Sequence, residues 1–257
     1  MRPTRLMELL HSFDSVDVLR VAPSVVTVGT FDGVHLGHQQ LIRTVVNEAH
    51  ARGMQSAIVT FFPHPRVVLG RAPAKYLTLP DEKAEQIAAL DVDMLVVQEF
   101  TMATAQTPAS QFVQWMVDKL AMRSLWIGPD FALGYKRQGN AAYLQAQGVE
   151  HGFDVNVMPE LSVSANPINS TRVRDALARG DVRDANLCLG RPFSVQARYD
   201  GDYTLCAPEQ HWLPAPGVYA VLIDGRANRV TITESPCAFE VRDAMGGERR
   251  EVTVAFV

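Results

Sequence analysis

Short apolar runs alternate with amphipathic segments along the first 190 residues. The first run contains Val25, Val26 and Val28, and apolar residues after it recur at helical spacing. Such a run is typical of a strand buried on both faces, and the alternation of strand and helix predicts a parallel sheet covered by helices. Further strands are predicted at 57–61, 94–97, 125–127 and 153–157, and the first helix presents His38, Leu41, Ile42, Val45, Val46 and Ala49 on one face.

Several helix starts are marked by capping residues. Pro80 precedes the acidic pair Asp81–Glu82, and Thr107–Pro108 has the pattern of an N-cap followed by a first helical residue. The helix after Pro108 would carry Phe112, Trp115, Met116 and Leu120. A third helix is predicted to begin at Ser170–Thr171 and to end before Gly180.

After Arg191 the pattern changes to short β-like segments broken by Gly, Pro, Asp and Asn. These segments are 217–223, 229–233 and 251–256. They predict a small β-rich module. The chain is therefore divided into an α/β domain over 1–190 and a β-rich domain over 191–257.

Composition is typical of an ordinary globular enzyme. The 257 residues are 47% hydrophobic and 20% charged, with a formal net charge of −4. This balance argues against nucleic acid as a partner, and we expect neither a signal peptide nor a membrane span. Cys188, Cys206 and Cys237 are widely spaced, which favours a reducing, cytoplasmic setting.

The loop after the first strand carries the candidate chemistry. Gly29, Gly33 and Gly37 allow a phosphate group to approach the main chain, and His35 and His38 lie where the first helix starts. A helix N-terminus attracts anions through its N–H groups and its dipole. The two imidazoles add hydrogen-bond donors, so this stretch is interpreted as a site for nucleotide phosphates.

The motif His35-Leu-Gly-His38, preceded by Gly29-Thr-Phe-Asp-Gly33, resembles the signature of adenylyl- and cytidylyltransferases. Three more stretches resemble the flavin-adenylylating branch, in the same order. They are Thr60-Phe-Phe-Pro-His-Pro65, Gly128-Pro-Asp-Phe-Ala-Leu-Gly134 with Arg137 and Gly139, and Asn169-Ser-Thr-Arg-Val-Arg174. The similarity is to the FMN-adenylylating half of bifunctional riboflavin kinase/FAD synthetases, and it covers roughly 25–193.

This resemblance implies a Rossmann-like nucleotidyltransferase domain followed by a remnant of a kinase-like barrel. It implies ATP and FMN as substrates and Mg²⁺ bound mainly through the phosphates of ATP, with no metal ligand from the protein. The Pro-Thr-Ala-Asn stretch of the kinase half occurs nowhere in the chain, which predicts that riboflavin kinase activity is absent. The implied catalytic residues are His35, His38, Ser170, Thr171 and Arg174; the implied ATP-binding residues are Gly29, Thr30, Phe31, Gly37 and Asp130; the implied FMN-binding residues are Phe62, His64 and Pro65.

Each signal also has a structural interpretation. His35 and His38 can be a solvated pair, His64 a rigid turn between two prolines, and Asp130 a cap of local backbone. Ser170–Thr171 can serve only as an N-cap. Two other functions stay open, which are nucleotidyl transfer to a different phosphorylated acceptor and a non-catalytic flavin or nucleotide sensor. The sequence implies no particular oligomeric state.

Overall fold

The computed structural model describes residues 6–19, 21–163, 166–201, 203–233, 238–242 and 248–257. The chain packs as two units. The first comprises Met1–Phe31, Gly37–Pro73 and Lys83–Glu160, and the second comprises Asp32–Leu36, Ala74–Glu82 and Leu161–Val257. The predicted division into 1–190 and 191–257 stays a prediction, because these units report packing and not independent folding.

A six-stranded sheet with parallel pairings forms the centre of the first unit. Its strands run in the order β1-β4-β3-β2-β5-β6. The central strand β2 is buried at all five positions, as expected for a strand covered on both faces. The strands are β1 (Glu8–Leu10), β2 (Ser24–Val28), β3 (Gln55–Phe62), β4 (Met94–Glu99), β5 (Met122–Ile127) and β6 (Asp154–Val157).

Helices connect these strands. They are α1 (Leu36–Ala51), α2 (Pro65–Val68), α3 (Pro80–Ala88), α4 (Met102–Ala105), α5 (Ala109–Leu120) and α6 (Ala141–His151), with 3₁₀ turns at Phe13–Ser15 and Tyr135–Arg137. The predicted inner face of α1 is buried at Leu41, Ile42, Val45, Val46 and Ala49. The parallel α/β prediction is therefore confirmed, including each predicted strand.

The predicted start of α5 is wrong by one residue. Pro108 has extended backbone and is the N-cap, so the helix begins at Ala109 and Thr107 lies outside it. Proline lacks an N–H and a capping oxygen, and no side-chain hydrogen bond is made by this cap. The interior positions were predicted correctly, since Phe112, Met116 and Leu120 are buried and Trp115 packs against Phe112 at 5.1 Å between ring centroids.

The second unit contains two helices, a two-stranded sheet and a closed antiparallel barrel. The helices are α7 (Ser170–Ala178) and α8 (Val182–Leu189), and the small sheet pairs β7 (Ser162–Val163) with β8 (Asn166–Pro167). The barrel order is β10-β13-β12-β11-β14-β9. Its strands are β9 (Phe193–Tyr199), β10 (Thr204–Cys206), β11 (Gly217–Ile223), β12 (Arg226–Ile232), β13 (Ala238–Val241) and β14 (Arg250–Phe256).

Alternating side chains fill the barrel. Along β9, Phe193, Val195, Ala197 and Tyr199 are buried, while Arg198 between two of them is exposed. This period of two places every second residue in the interior. The predicted β-rich C-terminal part is confirmed, and the predicted segment 217–223 coincides with β11.

Two findings bear on the compartment and membrane predictions. Cys188 is buried and Cys206 is half-buried, and neither forms a disulfide; Cys237 lies outside the described residues. Within the part of the chain that the structure describes, no helix combines the length and the apolar character needed to cross a membrane.

Candidate active site

In the first unit, the chain leaves β2 through Gly29 and Thr30. The Gly29 N–H donates to the Val59 carbonyl at 3.0 Å, and a Cβ at Gly29 would lie 2.9 Å from the ring of Phe31. This close approach explains the glycine. The Thr30 carbonyl accepts from the Thr60 hydroxyl at 3.1 Å and from the Lys83 ammonium at 2.8 Å. Lys83 is only 6% exposed, so a buried cation holds the peptide group before Phe31.

Phe31 connects this turn to the predicted catalytic histidine of the first unit. Its backbone is left-handed, with φ of +46°, and its buried ring meets the His38 imidazole edge-on at 5.1 Å between centroids. Gly37 and His38 lie in the first turn of α1. The structure therefore brings together the predicted ATP-binding turn and His38.

In the second unit, several groups converge on Asp32. One carboxylate oxygen accepts the N–H groups of Leu77 at 3.0 Å and Thr78 at 3.2 Å. The other accepts from the Arg174 guanidinium, and the Asp32 carbonyl accepts from the Ser170 hydroxyl at 2.9 Å. The Asp32 side chain is 2% exposed. One buried residue thus organises two of the predicted catalytic residues.

His35, also in the second unit, is 6% exposed. Burial lowers the pKa of its imidazole to about 4; Asp32 opposes this shift, while Arg191 and Arg174 reinforce it. The imidazole is therefore neutral at pH 7 and carries one N–H donor. This burial argues against a solvated loop for His35.

Asn169 is the N-cap of α7, and its side-chain oxygen accepts the Arg172 N–H at 2.9 Å. Ser170 is the first helical residue, so its hydroxyl is available for Asp32 and does not cap the helix. Thr171 is exposed beside it. The interpretation of Ser170–Thr171 as only an N-cap is thus wrong, because the asparagine has that role.

Arg191 contacts the segment that carries His35. Its guanidinium donates to the Gly33 carbonyl at 2.8 Å and to the Val34 carbonyl at 3.2 Å. Burial lowers the pKa of this side chain to about 10, with Glu82 opposing the shift. Arg191 therefore remains a cation at pH 7.

The predicted flavin residues lie in the first unit. Phe62 ends β3, and its carbonyl accepts the Phe100 N–H at 3.1 Å. His64 is the N-cap of α2: its Nδ1 accepts the Arg66 N–H at 3.0 Å, and Pro65 is the first residue of that helix. His64 is half-buried, and the contact of its Nδ1 fits the interpretation of this residue as part of a rigid turn.

Asp130 is exposed in the loop after β5. Its carbonyl accepts from the Arg137 guanidinium at 2.7 Å. Both residues belong to the motif with Gly134 and Gly139, where the Leu133 and Gly139 main chains exchange two hydrogen bonds of 3.1 and 2.9 Å. The motif thus forms a closed turn.

Three important residues were not predicted as site residues, namely Asp32, Lys83 and Arg191. Asp32 stands inside the Gly-Thr-Phe-Asp-Gly motif, so its place in that motif was the signal that the sequence offered. Lys83 and Arg191 lie far along the chain from the carbonyls they hold, so no local pattern marks them. Among the described residues, no group of three or more His, Cys, Asp or Glu side chains is arranged to hold a metal ion.

A family model described as FAD synthetase matches residues 19–172 of this chain. The match contains three of the four motifs in full and the fourth as far as Arg172, so every predicted site residue except Arg174 lies inside it. It ends just before Arg174, inside α7.

Curated relatives extend the similarity into the barrel. A bifunctional riboflavin kinase/FMN adenylyltransferase from Listeria monocytogenes is 35% identical over 225 residues, which are 82% of this chain and 71% of the relative. One of the same description from Haemophilus influenzae is 38% identical over 175 residues, which are 67% of this chain and 56% of the relative. The chain thus spans between about half and three quarters of the length of these relatives.

A crystal structure of a protein described as a macrolide-efflux protein from Streptococcus pneumoniae has the same fold. The TM-score is 0.82 at 20% identity, and the alignment covers 98% of this chain and 89% of the other. At this identity the likeness concerns the fold alone.

Proposed function

Because this chain belongs to the FAD synthetase family, we propose that it transfers AMP from ATP to FMN and releases FAD and pyrophosphate. The observation that carries the proposal is the assembly around Asp32. Arg174 and the Ser170 hydroxyl both contact this residue, and its negative charge has the largest effect, after burial, on the pKa of His35. A cation, a hydroxyl and a neutral imidazole are suited to phosphate oxygens.

In the reaction, a phosphate oxygen of FMN attacks the α-phosphorus of ATP in line. The new P–O bond forms as the bond to the β-phosphate bridging oxygen breaks, and pyrophosphate leaves with that electron pair. No protein nucleophile is required, so the residues act by positioning and by stabilising charge. His35 and His38 donate hydrogen bonds to triphosphate oxygens, and Arg174 with Ser170 and Thr171 stabilises the charge that develops on them.

The remaining predicted residues hold the two substrates. Gly29, Thr30, Phe31 and Gly37 form the turn that accepts the ATP phosphates, and Asp130 contacts adenosine. Phe62, His64 and Pro65 lie against FMN. Magnesium enters with the phosphates of ATP, since Mg²⁺ prefers phosphate oxygens and water to an all-protein cage.

We assign the adenylyltransferase to residues 1–190 and regard 191–257 as the remnant of a kinase-like barrel. Because no Pro-Thr-Ala-Asn stretch occurs in the sequence, the chain does not phosphorylate riboflavin. Both substrates are cytoplasmic metabolites in this proposal, and the unpaired Cys188 and Cys206 suit a reducing compartment.

The test is product analysis with purified protein, ATP and Mg²⁺, supplied with either FMN or riboflavin. FAD and pyrophosphate from FMN, with no FMN from riboflavin, are expected. FMN formed from riboflavin would overturn the assignment of the barrel. Bound flavin without any product would overturn the enzyme and favour a sensor, and pyrophosphate release only with another phosphorylated acceptor would overturn FMN as the substrate.

A further inference from the structure

Val34, the residue before His35, has a strained backbone. Its φ is +39°, in the left-handed region that β-branched residues rarely adopt. The side chain is 1% exposed. Such a conformation persists only where the surrounding structure holds it, and it is common at functional sites.

Arg191 holds the peptide groups on both sides of Val34. One terminal nitrogen of its guanidinium donates to the Gly33 carbonyl at 2.8 Å, and the other donates to the Val34 carbonyl at 3.2 Å and to the Leu189 carbonyl at 3.3 Å. A planar guanidinium can bridge two oxygens in this way, whereas a lysine ammonium is a single point of attachment.

The start of the same segment is also held in place. The Gly33 N–H donates to the Thr78 hydroxyl at 3.0 Å, and a Cβ at Gly33 would lie 2.9 Å from Leu77. Since the segment is fixed before Val34 by Thr78, the direction in which the chain continues to His35 depends on the contacts to the Gly33 and Val34 carbonyls.

We propose that Arg191 is a positioning residue for adenylyl transfer, which keeps Val34 in its strained conformation and thereby orients the imidazole of His35. The inference rests on the proposed function, because it assigns Arg191 a task in that reaction. Arg191 acts through His35 and itself touches no reacting atom. Its position, between α8 and the first barrel strand, gives the C-terminal part of the chain a role in the adenylyltransferase.

The first experiment compares Arg191→Lys with the wild type in FAD formation. The expected result is a fall in kcat on the order of 10- to 100-fold, since small misplacements of a catalytic group have effects of this size, with a smaller change in KM for ATP. Arg198→Met is the matched control, because Arg198 is exposed on β9, and it should retain full activity. Wild-type kcat in Arg191→Lys would overturn the inference.

The second experiment separates positioning from general stability. Glycine adopts a positive φ without strain. The double variant Arg191→Lys with Val34→Gly should therefore have a kcat at least several-fold higher than that of Arg191→Lys. Val34→Gly alone is the reference against which the double variant is compared. An impaired Arg191→Lys that Val34→Gly does not improve would show that Arg191 acts by another route and would overturn the inference.

A readout independent of activity is the NMR signal of the His35 ring in the full-length protein. Arg191→Lys should shift it and Arg198→Met should not; an unchanged signal in Arg191→Lys contradicts the proposal. Should Arg191→Lys fail to fold, Arg191→Gln is measured in the same assays. Absence of FAD formation by the wild type would instead count against the proposed function, whereas an active wild type with a fully active Arg191→Lys refutes the positioning role alone.

Discussion

Asp32 and Arg174 form a charge-assisted hydrogen bond although 142 positions separate them in the chain. The Asp32 side chain is 2% exposed and the Arg174 side chain 19%, and Arg174 also lies over the Trp212 ring at 6.0 Å. Within the second unit, the pair attaches the Asp32 segment to α7. It holds an arginine of the predicted catalytic set at a defined place before any substrate binds.

Asp32→Asn should destabilise the protein, because it removes the charge opposite a mostly buried guanidinium. Breaking such a pair typically costs about 3–5 kcal/mol of unfolding free energy. Asp14→Asn is the control: Asp14 pairs with Lys119 at 3.3 Å but is 93% exposed, so its loss should cost less than about 1 kcal/mol. Denaturant unfolding measures the free energy of unfolding of both variants. Equal losses in the two would contradict a stabilising role of the Asp32–Arg174 pair.

His38→Ala should lower kcat on the order of 10²- to 10³-fold, the size seen when one charge-stabilising donor is lost. His11→Ala, at an exposed position, is the matched control and should leave turnover unchanged. Steady-state FAD formation measures both variants. Near-normal turnover of His38→Ala would remove this residue from the proposed mechanism.

The buried His35 should make stability depend on pH. Its pKa of about 4 in the folded protein is below the ordinary value near 6.5, so the unfolded chain binds the proton more readily. The neutral His35 therefore contributes roughly 3 kcal/mol to the free energy of unfolding above about pH 6.5, and this contribution is lost progressively as the pH falls to about 4. Unfolding at a series of pH values should show a smaller slope in this window for His35→Asn, and identical slopes would argue against a buried neutral imidazole.

Glu82→Ala should destabilise the second unit more than Glu82→Gln. The Glu82 carboxylate accepts the N–H groups of Leu79 at 2.8 Å and Gln196 at 2.9 Å, and it lies 3.0 Å from Nε2 of the fully buried His211. Alanine leaves the Leu79 and Gln196 N–H groups without their acceptor, at about 1–3 kcal/mol for each buried group, while glutamine keeps one oxygen. Thermal melting of the two variants checks the order; a lower Tm for Glu82→Gln would contradict it.

The fold was accessible from local sequence patterns. Five of the six strands of the sheet were identified from short apolar runs, and α1 from buried positions that recur at helical spacing. The edge strand β1 (Glu8–Leu10) was not predicted. The start of α5 was misplaced because Thr-Pro matches two capping arrangements that differ by one residue. The phosphate-binding loop was also recognisable, since Gly29, Gly33, His35 and His38 stand close together in the sequence.

Local sequence specified the elements and the loop because their signals come from residues within a few turns of one another. The tertiary structure alone decided that Asp32 receives Arg174 and Ser170, that Lys83 and Arg191 hold carbonyls of the loop, and that His35 is buried and neutral. These are contacts between segments 50 to 160 residues apart in the sequence, and no periodicity encodes such a separation. The electrostatics of the site therefore depends on how the chain packs, since burial and partners set the charge of each group.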